Sequence, residues 1–312
     1  MKELKVLFVG VGSIAKRHIE NVCQVTKERG IECHIDAFRT GIGSEVHPKI
    51  DECYFDYAKV PENYDIVFIT NPTEVHIDTL KHFHEKGKHF FIEKPVCTYS
   101  QLYDCTMPKL REKSIYYVAS PLRYTKVIQY VKNNINPNAV LAARSISSSY
   151  LPDWRPNIDY RKTYSAQKAL GGGVAIDLIH EWDYLTYLFG KPKSVQSILK
   201  QVSNLEIDTE DIAIYIGEYE TKVVELHLDY LGRVPMRKLE LFTNDDTIMC
   251  DLLNSKISFL KSGSIMEFGQ ERNDFQLEEI RYFLNLVETN TYENKIPEAM
   301  SILGLTRGGN NQ

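Results

Sequence analysis

The sequence lacks any apolar run of the roughly 18–20 residues that a membrane-spanning helix requires. It also lacks a large excess of either charge, since 37 lysines and arginines stand against 42 aspartates and glutamates. The formal net charge of −5 gives no general attraction to nucleic acid or to an anionic membrane, so we expect neither as a partner. Hydrophobic residues make up 43% and charged residues 25% of the 312, which excludes disorder, collagen and coiled coil as descriptions of the whole chain.

Paired cysteines are absent as well. The six cysteines are scattered along the chain: Cys23, Cys33, Cys53, Cys97, Cys105 and Cys250. Because none of them form a Cys-x-x-Cys pair, the zinc-ribbon and thioredoxin patterns are missing, and we predict reduced core residues. His82, His84 and His89 have no matching carboxylate pattern, so we predict a solvated face there and no metal site.

The N-terminal residues resemble a secretory signal in one respect, since two lysines precede an apolar stretch. That stretch holds two glycines at turn spacing and runs directly into Lys16-Arg17-His18. A buried strand followed by a glycine turn explains it better, and we expect a cytoplasmic protein.

Short apolar segments alternate with helical patterns over the first part of the chain. The predicted strands are Lys5–Val9, Cys33–Phe38, Asp65–Thr70, His89–Ile92 and Ile115–Ala119. The predicted helices between them are Ser13–Arg29, His76–Lys86 and Gln101–Glu112. Uniformly apolar strands separated by helices indicate a parallel sheet covered on both faces, so the fold class is α/β with an N-terminal doubly wound domain.

The pattern changes after Pro121. A glycine run at 171–173 precedes a predicted helix over Val174–Phe189, and successive strands follow from Val195 to Phe268. We therefore predict a C-terminal α/β domain with a mostly antiparallel sheet, and domains at 1–121 and 122–312. The amphipathic segment at 274–288 is a final helix that can pack back on the first domain.

A glycine-rich turn joins the first predicted strand to the first helix. It reads Gly10-Val-Gly12-Ser13-Ile14-Ala15, the pattern G-x-G-x-x-A. The first glycine permits a tight turn, the second lets a pyrophosphate approach the backbone, and the small third residue lets helix and strand pack closely. The amides at the helix start favour an anion. We therefore predict that Gly10, Gly12, Ser13, Ile14 and Ala15 bind a dinucleotide.

The end of the second strand distinguishes NADP from NAD, because an arginine there accommodates a 2′-phosphate and an acidic residue binds the 2′-hydroxyl. If the strand runs to Phe38, Arg39 takes the discriminating position, with Thr40 and Ser44 nearby as hydroxyl donors. If the strand stops earlier, Asp36 takes that position and NAD is favoured. The glycine turn that follows fits the longer strand better, so we favour NADP(H) and keep NAD(H) as the alternative.

Three further segments carry a resemblance to a known family: Thr70–His76 (TNPTEVH), Glu93–Pro95 (EKP) and Gly171–Asp183 (GGGVAIDLIHEWD). With the glycine turn, they resemble the Gfo/Idh/MocA family of glucose–fructose oxidoreductase and inositol dehydrogenase along almost the whole chain. The resemblance implies a Rossmann domain, a C-terminal domain with a large open sheet, and NAD(P)-dependent oxidation or reduction of a sugar or cyclitol carbon. It also implies a homodimer or homotetramer paired through the C-terminal sheet.

The resemblance implies catalytic roles for Lys94, His180 and Asp177. It also implies that a set of loop residues lines the nicotinamide end of the cofactor site: Thr70, Asn71, Pro72, His76, Glu93 and Lys94. Asp177 and His180 are three residues apart where the family has four, which we interpret as a one-residue deletion. Either spacing places two side chains on the same face of a helix. A histidine can take the hydroxyl proton of a carbinol, a lysine can donate to its oxygen, and Asp177 can hold the histidine tautomer or bind the substrate.

An aromatic and basic segment precedes the glycine run. In it, Trp154 and Tyr160 can stack on a sugar face. Arg155 and Arg161, with Arg123 after the last Rossmann strand, can bind an anion. We therefore predict a small sugar-like substrate, either a sugar acid or a nucleotide-linked sugar, with a solvated loop as the alternative. The segment also resembles a branch of the family associated with surface-polysaccharide metabolism, by analogy alone.

Two other functions stay open beside the sugar dehydrogenase or reductase. A cofactor-retaining epimerase or glycosidase-type enzyme would show no net change in nicotinamide absorbance during turnover. A non-catalytic dinucleotide-sensing protein of the same fold would not need Lys94 and His180, and their presence argues against it.

Overall fold

The computed structural model describes residues 2–41, 46–104 and 106–308, so Ser44 and Cys105 lie outside the described part. The chain forms two compact units. The first contains the residues up to Ala119 together with Gln276–Met300, and the second contains Ser120–Phe275 and the residues from Ser301 on.

A six-stranded parallel sheet forms the first unit. Its strands are β1 (Glu3–Val9), β2 (Glu32–Phe38), β3 (Glu52–Tyr54), β4 (Tyr64–Ile69), β5 (Gly87–Ile92) and β6 (Tyr116–Val118), in the spatial order β3-β2-β1-β4-β5-β6. The helices between the strands are α1 (Ser13–Glu28), α2 (His76–Phe83) and α3 (Tyr99–Asp104). The strand order reverses between β1 and β4, and open α/β sheets bind ligands at the carboxyl ends of such a switch point. The predicted doubly wound domain is confirmed.

A late helix completes the core of the first unit. α7 (Asp274–Thr289) presents Phe283, which is fully buried and lies edge-on to Phe68 and Phe91 with ring centroids 6.0 and 5.3 Å away. Ile280 and Leu284 of the same helix join this cluster. The helix thereby covers part of a parallel sheet whose central strands are apolar on both faces.

An eight-stranded sheet forms the second unit. Its strands are β7 (Val140–Ser148), β8 (Ser194–Lys200), β9 (Ile212–Glu218), β10 (Val223–Asp229), β11 (Met236–Thr243), β12 (Thr247–Asp251), β13 (Lys256–Phe259) and β14 (Ile265–Glu267), in the order β14-β13-β12-β11-β7-β10-β9-β8. Its helices are α4 (Lys126–Asn134), α5 (Val174–Asp177) and α6 (Ile179–Phe189). The last helix, α8 (Ile296–Leu305), has its residues up to Met300 in the first unit and the rest in the second. All neighbouring strands run antiparallel except β7 and β10, so the predicted mostly antiparallel sheet is confirmed.

The two faces of this sheet differ in exposure. On one face, Tyr215 and Leu226 are fully buried, as the alternation along β9 and β10 requires. On the other face, Ile198, Ile216 and Val223 remain 56%, 46% and 44% exposed.

Several predicted elements differ in extent. The helix predicted over Gln101–Glu112 is wrong over residues 106–112, and Pro108 explains part of this because a proline disfavours helical backbone in the residue before it. The single helix predicted over Val174–Phe189 is interrupted at Leu178, whose φ of −100° and ψ of 23° separate α5 from α6.

The burial of the histidines and cysteines can be compared with the predictions made for them. The solvated face expected at the clustered histidines is wrong for His84 and His89, which are buried. Cys97 and Cys250 are buried, as predicted for core cysteines, and burial raises the pKa of the Cys250 thiol to about 12. Cys23, Cys33 and Cys53 are only half-buried.

Candidate active site

The glycine turn after β1 is built by two glycines with different tasks. Gly10 has a positive φ of 88°, and its amide donates to the carbonyl of Phe38 at 3.0 Å. A Cβ on Gly10 would lie 2.8 Å from Asn71, so this glycine permits the close approach of the loop after β4. A Cβ on Gly12 would meet no protein atom within 4 Å, so the space above this glycine is open.

The N-terminus of α1 begins at this open space. Gly12 is its N-cap and offers no side chain, and the first turn carries no acidic residue. Ser13 is exposed, Ile14 is half-buried and Ala15 is fully buried against the sheet. Unpaired amides and a positive dipole end at an open glycine turn fit the pyrophosphate of a dinucleotide.

The second strand ends as the longer alternative predicted. β2 runs to Phe38, and the amide of Arg39 donates to the Tyr54 carbonyl at 3.0 Å at the start of the following loop. Asp36 lies within the strand, where its carboxylate accepts a 2.6 Å hydrogen bond from the Tyr64 hydroxyl. Arg39 therefore occupies the position after the strand, and the exposed Thr40 follows it.

The loop after β4 lies against the glycine turn. The Thr70 hydroxyl donates to the Gly10 carbonyl at 2.7 Å. The amide nitrogen of Asn71 donates to Thr79 at 2.7 Å, while its Oδ1 is buried without a hydrogen-bond partner among the described residues. An unsatisfied buried acceptor beside the glycine turn suits a hydrogen-bond donor on a bound cofactor. Pro72 is exposed.

His76 ties two loops together. Its ring is 1% exposed, with Nε2 at 2.8 Å from the Asn71 carbonyl and Nδ1 at 3.0 Å from the Pro95 carbonyl. Both ring nitrogens are thereby engaged with the protein backbone. The structure thus gives His76 a positioning role between the loops after β4 and β5, and its predicted contact with the cofactor stays a prediction.

The Glu-Lys-Pro loop is held in place by His18, a residue that the sequence analysis did not single out. Glu93 lies 2.6 Å from Nε2 of His18, a buried residue of α1, and its second oxygen accepts from the Lys94 amide at 3.1 Å. Burial acts to raise the pKa of Glu93, but the His18 hydrogen bond and the charges of His18 and Lys94 outweigh it and lower the pKa. Lys94 itself is half-buried.

The glycine run of the second unit places α5. Gly173 has a φ of 120°, and a Cβ there would overlap the Glu210 carboxylate. That carboxylate accepts from the Ala175 amide at 3.2 Å, at the start of α5. The run therefore lets a side chain from a distant loop satisfy the start of this short helix.

Asp177 is the last residue of α5 and is buried. Its Oδ2 accepts a 2.6 Å hydrogen bond from Tyr230, and Trp154 lies edge-on to the same tyrosine with centroids 5.2 Å apart. Burial and the Asp177 carboxylate raise the pKa of Tyr230 well above its ordinary value, so the phenol stays protonated and donates. Because Leu178 breaks the helix, Asp177 and His180 belong to two helices, and the shared helix face predicted for them is wrong.

His180 lies in the first turn of α6 beside an arginine that the sequence interpretation did not single out. Nη2 of Arg237, on β11, is 3.2 Å from Nε2 of His180. Nε of the same guanidinium donates to the fully buried Glu181 carboxylate at 2.7 Å. Burial raises the pKa of Glu181, and the charge of Arg237 acts against that shift.

The predicted anion-binding arginines divide into two groups. Arg123 forms a two-point ion pair with Asp183 at 2.7 and 2.8 Å, and the exposed Arg161 pairs with Asp159 and Glu206. These two guanidiniums are therefore matched by carboxylates of the chain itself. Arg155 has no carboxylate partner among the described residues and lies over the ring of Tyr164 at 5.6 Å.

The aromatic residues of the same segment also have partners within the unit. The indole nitrogen of Trp154 donates to Ser149 at 2.9 Å, and the hydroxyl of Tyr160 accepts from the Glu206 amide at 3.2 Å. Of the two, Trp154 is the one brought near Asp177, through Tyr230.

Across residues 2–41, 46–104 and 106–308, no group of three or more His, Cys, Asp or Glu side chains is arranged to hold a metal ion. No helix in those ranges has the length and apolar character needed to cross a membrane.

Curated relatives are similar to part of this chain. The uncharacterized oxidoreductase YrbE of Bacillus subtilis (strain 168) is 26% identical over 195 residues, covering 61% of this chain and 54% of its own. Levoglucosan dehydrogenase of Pseudarthrobacter phenanthrenivorans is 27% identical over 149 residues, covering 46% of this chain and 38% of its own. The chain thus spans about half the length, or less, of the curated relatives it matches.

Solved structures share the fold over nearly the whole chain. Levoglucosan dehydrogenase in complex with NADH has a TM-score of 0.80 at 16% identity, covering 98% of this chain and 95% of its own. Myo-inositol 2-dehydrogenase from Lactobacillus plantarum has a TM-score of 0.77 at 17% identity, covering 98% and 96%. UDP-N-acetylglucosamine 3-dehydrogenase GnnA from Acidithiobacillus ferrooxidans has a TM-score of 0.71 at 17% identity, with the same coverage.

Family models match most of the sequence. The model of the oxidoreductase family with an NAD-binding Rossmann fold matches residues 4–114. The model of the Gfo/Idh/MocA C-terminal domain matches residues 128–245. With the glycine turn, the Glu-Lys-Pro loop and the two-unit fold, these matches show that the chain belongs to the Gfo/Idh/MocA family of oxidoreductases.

Proposed function

We propose that this protein is an NADP(H)-dependent oxidoreductase that transfers a hydride to or from a carbinol or keto carbon of a sugar, a sugar acid or a nucleotide sugar. The observation that carries the proposal is the glycine turn, which leaves open space over Gly12 and packs through Gly10 against Asn71 at the switch point of the sheet. Gly10, Gly12, Ser13 and the Asn71 Oδ1 would hold the cofactor there. A bound nicotinamide supplies or accepts the hydride.

The chain's own residues handle the proton and the oxygen of the reacting carbon. His180 takes the hydroxyl proton during oxidation, since the imidazole is a base near neutral pH. Lys94 donates to the reacting oxygen, and its loop is held in place by the Glu93–His18 pair. Asp177, restrained by Tyr230, binds a substrate hydroxyl beside the reacting carbon.

The cofactor preference rests on the end of β2. Arg39 directly follows the strand, where it can pair with a 2′-phosphate. Asp36, the residue that would favour NAD, has its carboxylate engaged by Tyr64. These two observations support NADP(H) over NAD(H), although a related levoglucosan dehydrogenase structure contains NADH.

The substrate class rests on Arg155 and its aromatic neighbours. Because Arg123 and Arg161 are paired with carboxylates, Arg155 is the predicted arginine that supports an anionic sugar. An anionic sugar fits a place in surface-polysaccharide metabolism, and that role and a cytoplasmic location both remain predictions.

The exposed apolar face of the second sheet supports a homo-oligomer with two-fold symmetry. Ile198, Ile216 and Val223 are half-exposed β-branched residues on the same face of β8, β9 and β10. A second copy of the same face would remove this area from water. Light scattering after gel filtration tests this, and a monomer at micromolar concentration would contradict it.

The test of cofactor choice is a fluorescence titration with NADPH and with NADH. We expect wild type to bind NADPH more tightly, and Arg39→Ala to lose at least about 10-fold, or 1.4 kcal/mol, in NADPH affinity alone. Arg17→Ala is the matched control, because this exposed arginine lies on α1 and hydrogen bonds to Gln276. Preference for NADH in wild type would contradict the role of Arg39, and binding of neither nucleotide would contradict the redox function.

A further inference from the structure

The contact between Arg237 and His180 restricts where protons can lie. An arginine is protonated at every physiological pH and can only donate hydrogen bonds. The 3.2 Å separation of its Nη2 from Nε2 of His180 therefore makes Nε2 an acceptor. A neutral imidazole carries one N–H, so that proton belongs on Nδ1.

The guanidinium is itself fixed by a buried carboxylate. Its Nε donates at 2.7 Å to Glu181, whose side chain is fully buried, whereas Arg237 is 21% exposed. A charged carboxylate without this partner would be costly to bury, so the pair holds the guanidinium on β11 in one orientation. Glu181 directly follows His180 on α6, and Arg237 thus bridges consecutive residues of that helix.

We propose that Arg237 is a positioning residue that holds His180 in the tautomer with a bare Nε2 and a protonated Nδ1. This inference rests on the proposed role of His180 as the base. This tautomer determines which atom of His180 takes the proton. During oxidation the substrate O–H bond breaks, the proton bonds to Nε2, and the electron pair stays on the substrate oxygen. Arg237 releases its bond to Nε2 in this step, while its bond to Glu181 keeps the guanidinium in place.

The sequence alone does not reveal this arrangement, because Arg237 lies 57 residues from His180 and the residues around it on β11 form no recognisable motif. Two features distinguish it from a surface ion pair. The carboxylate partner is fully buried, and both bonds of the guanidinium reach consecutive residues of the helix that carries the candidate base.

The test is nitrogen NMR of protein labelled at histidine, which distinguishes protonated from bare ring nitrogens by their shifts and couplings. His180→Gln identifies the signals by their loss. At pH 8 we expect wild-type His180 to show a bare Nε2 and a protonated Nδ1. In Arg237→Met the ring should become a mixture of tautomers. A protonated Nε2 in wild type would overturn the proposal, whatever the enzymatic activity.

The control variants separate positioning from folding. Arg237→Met leaves Glu181 buried without its partner, so the double variant Arg237→Met/Glu181→Gln removes both charges and retains volume. We expect the double variant to bind NADPH as wild type does, since the cofactor residues lie in the first unit, and to show mixed tautomers with kcat reduced about 100-fold. Arg237→Lys should restore the wild-type tautomer in part, because a lysine also only donates.

The outcomes also distinguish this inference from the proposed function. A bare Nε2 in an enzyme that transfers no hydride would leave the tautomer assignment standing and contradict the proposed function. A double variant with wild-type kcat and an unchanged tautomer would overturn the role of Arg237 while leaving the oxidoreductase intact.

Discussion

The two glycines of the turn after β1 should respond oppositely to alanine. At Gly12 the backbone has an ordinary φ of −83° and an added methyl meets open space. An alanine N-cap costs up to about 1 kcal/mol relative to glycine, and the lower entropy of the unfolded chain returns about 0.4–1 kcal/mol. We therefore expect the free energy of unfolding of Gly12→Ala to stay within about 0.5 kcal/mol of wild type.

At Gly10 the same substitution meets two penalties. The positive φ of 88° costs about 1–2 kcal/mol for a residue with a Cβ. The methyl also lies 2.8 Å from the Asn71 backbone, and such overpacking costs about 1–3 kcal/mol. Gly10→Ala should therefore lose about 2–5 kcal/mol in stability, measured by urea unfolding.

Gly12→Ala should keep the stability of the protein but weaken its binding of NADPH. If the open space holds the pyrophosphate, the methyl of Gly12→Ala displaces it and weakens NADPH binding by about 5–150-fold, which corresponds to 1–3 kcal/mol. The assay is NADPH fluorescence titration on the stably folded variant. If Gly12→Ala binds NADPH with wild-type affinity, the space over Gly12 does not hold the pyrophosphate. If Gly12→Ala loses as much stability as Gly10→Ala, that space is not open.

Two further predictions concern the stability of the first unit. Burial first, then the charge of Lys88, lowers the pKa of His89 to about 4, and its Nδ1 accepts from the Ile115 amide at 3.2 Å. Protons then bind the unfolded chain preferentially, so stability should fall by about 2 kcal/mol from pH 6.5 to pH 4 and level off below it. His89→Asn keeps a hydrogen-bond acceptor that does not titrate. Urea unfolding of this variant should show a free energy of unfolding that changes less between pH 6.5 and pH 4. A pH dependence equal to that of wild type would exclude His89 as its source. Phe283→Ala should cost about 3–5 kcal/mol because the ring is fully buried and packs edge-on against Phe68 and Phe91. A loss below 1 kcal/mol in the same assay would show that α7 does not stabilise this core.

Much of the first unit could be predicted because its strands are apolar at successive positions. The residues Ile66–Ile69 of β4 are fully buried on both faces, which only a sheet covered by helices on both sides allows. The glycine turn could also be predicted, since the spacing of its glycines is set by local backbone geometry. The position of Arg39 also followed from the strand length that the sequence favoured.

The second unit was predicted less completely because its site depends on distant residues. Tyr230 and Arg237 reach Asp177 and His180 only through β10 and β11, and no periodic pattern connects them in the sequence. Asp183 and Glu206, which pair with Arg123 and Arg161, are likewise distant in the sequence, so the charge of the two arginines looked available for an anion. The helix break at Leu178 escaped prediction because the apolar pattern continues through it.

The most direct test of the proposed function is transfer of deuterium from NADPH labelled at nicotinamide C4, each face in turn, to keto-sugars, keto sugar acids and nucleotide keto-sugars. With wild type we expect loss of nicotinamide absorbance and deuterium in the sugar product, and with His180→Gln we expect both at about 100-fold lower rate. Bound NADPH that loses no deuterium to any of these substrates would contradict an oxidoreductase. Deuterium exchange or isomerisation without net absorbance change would instead favour a cofactor-retaining enzyme.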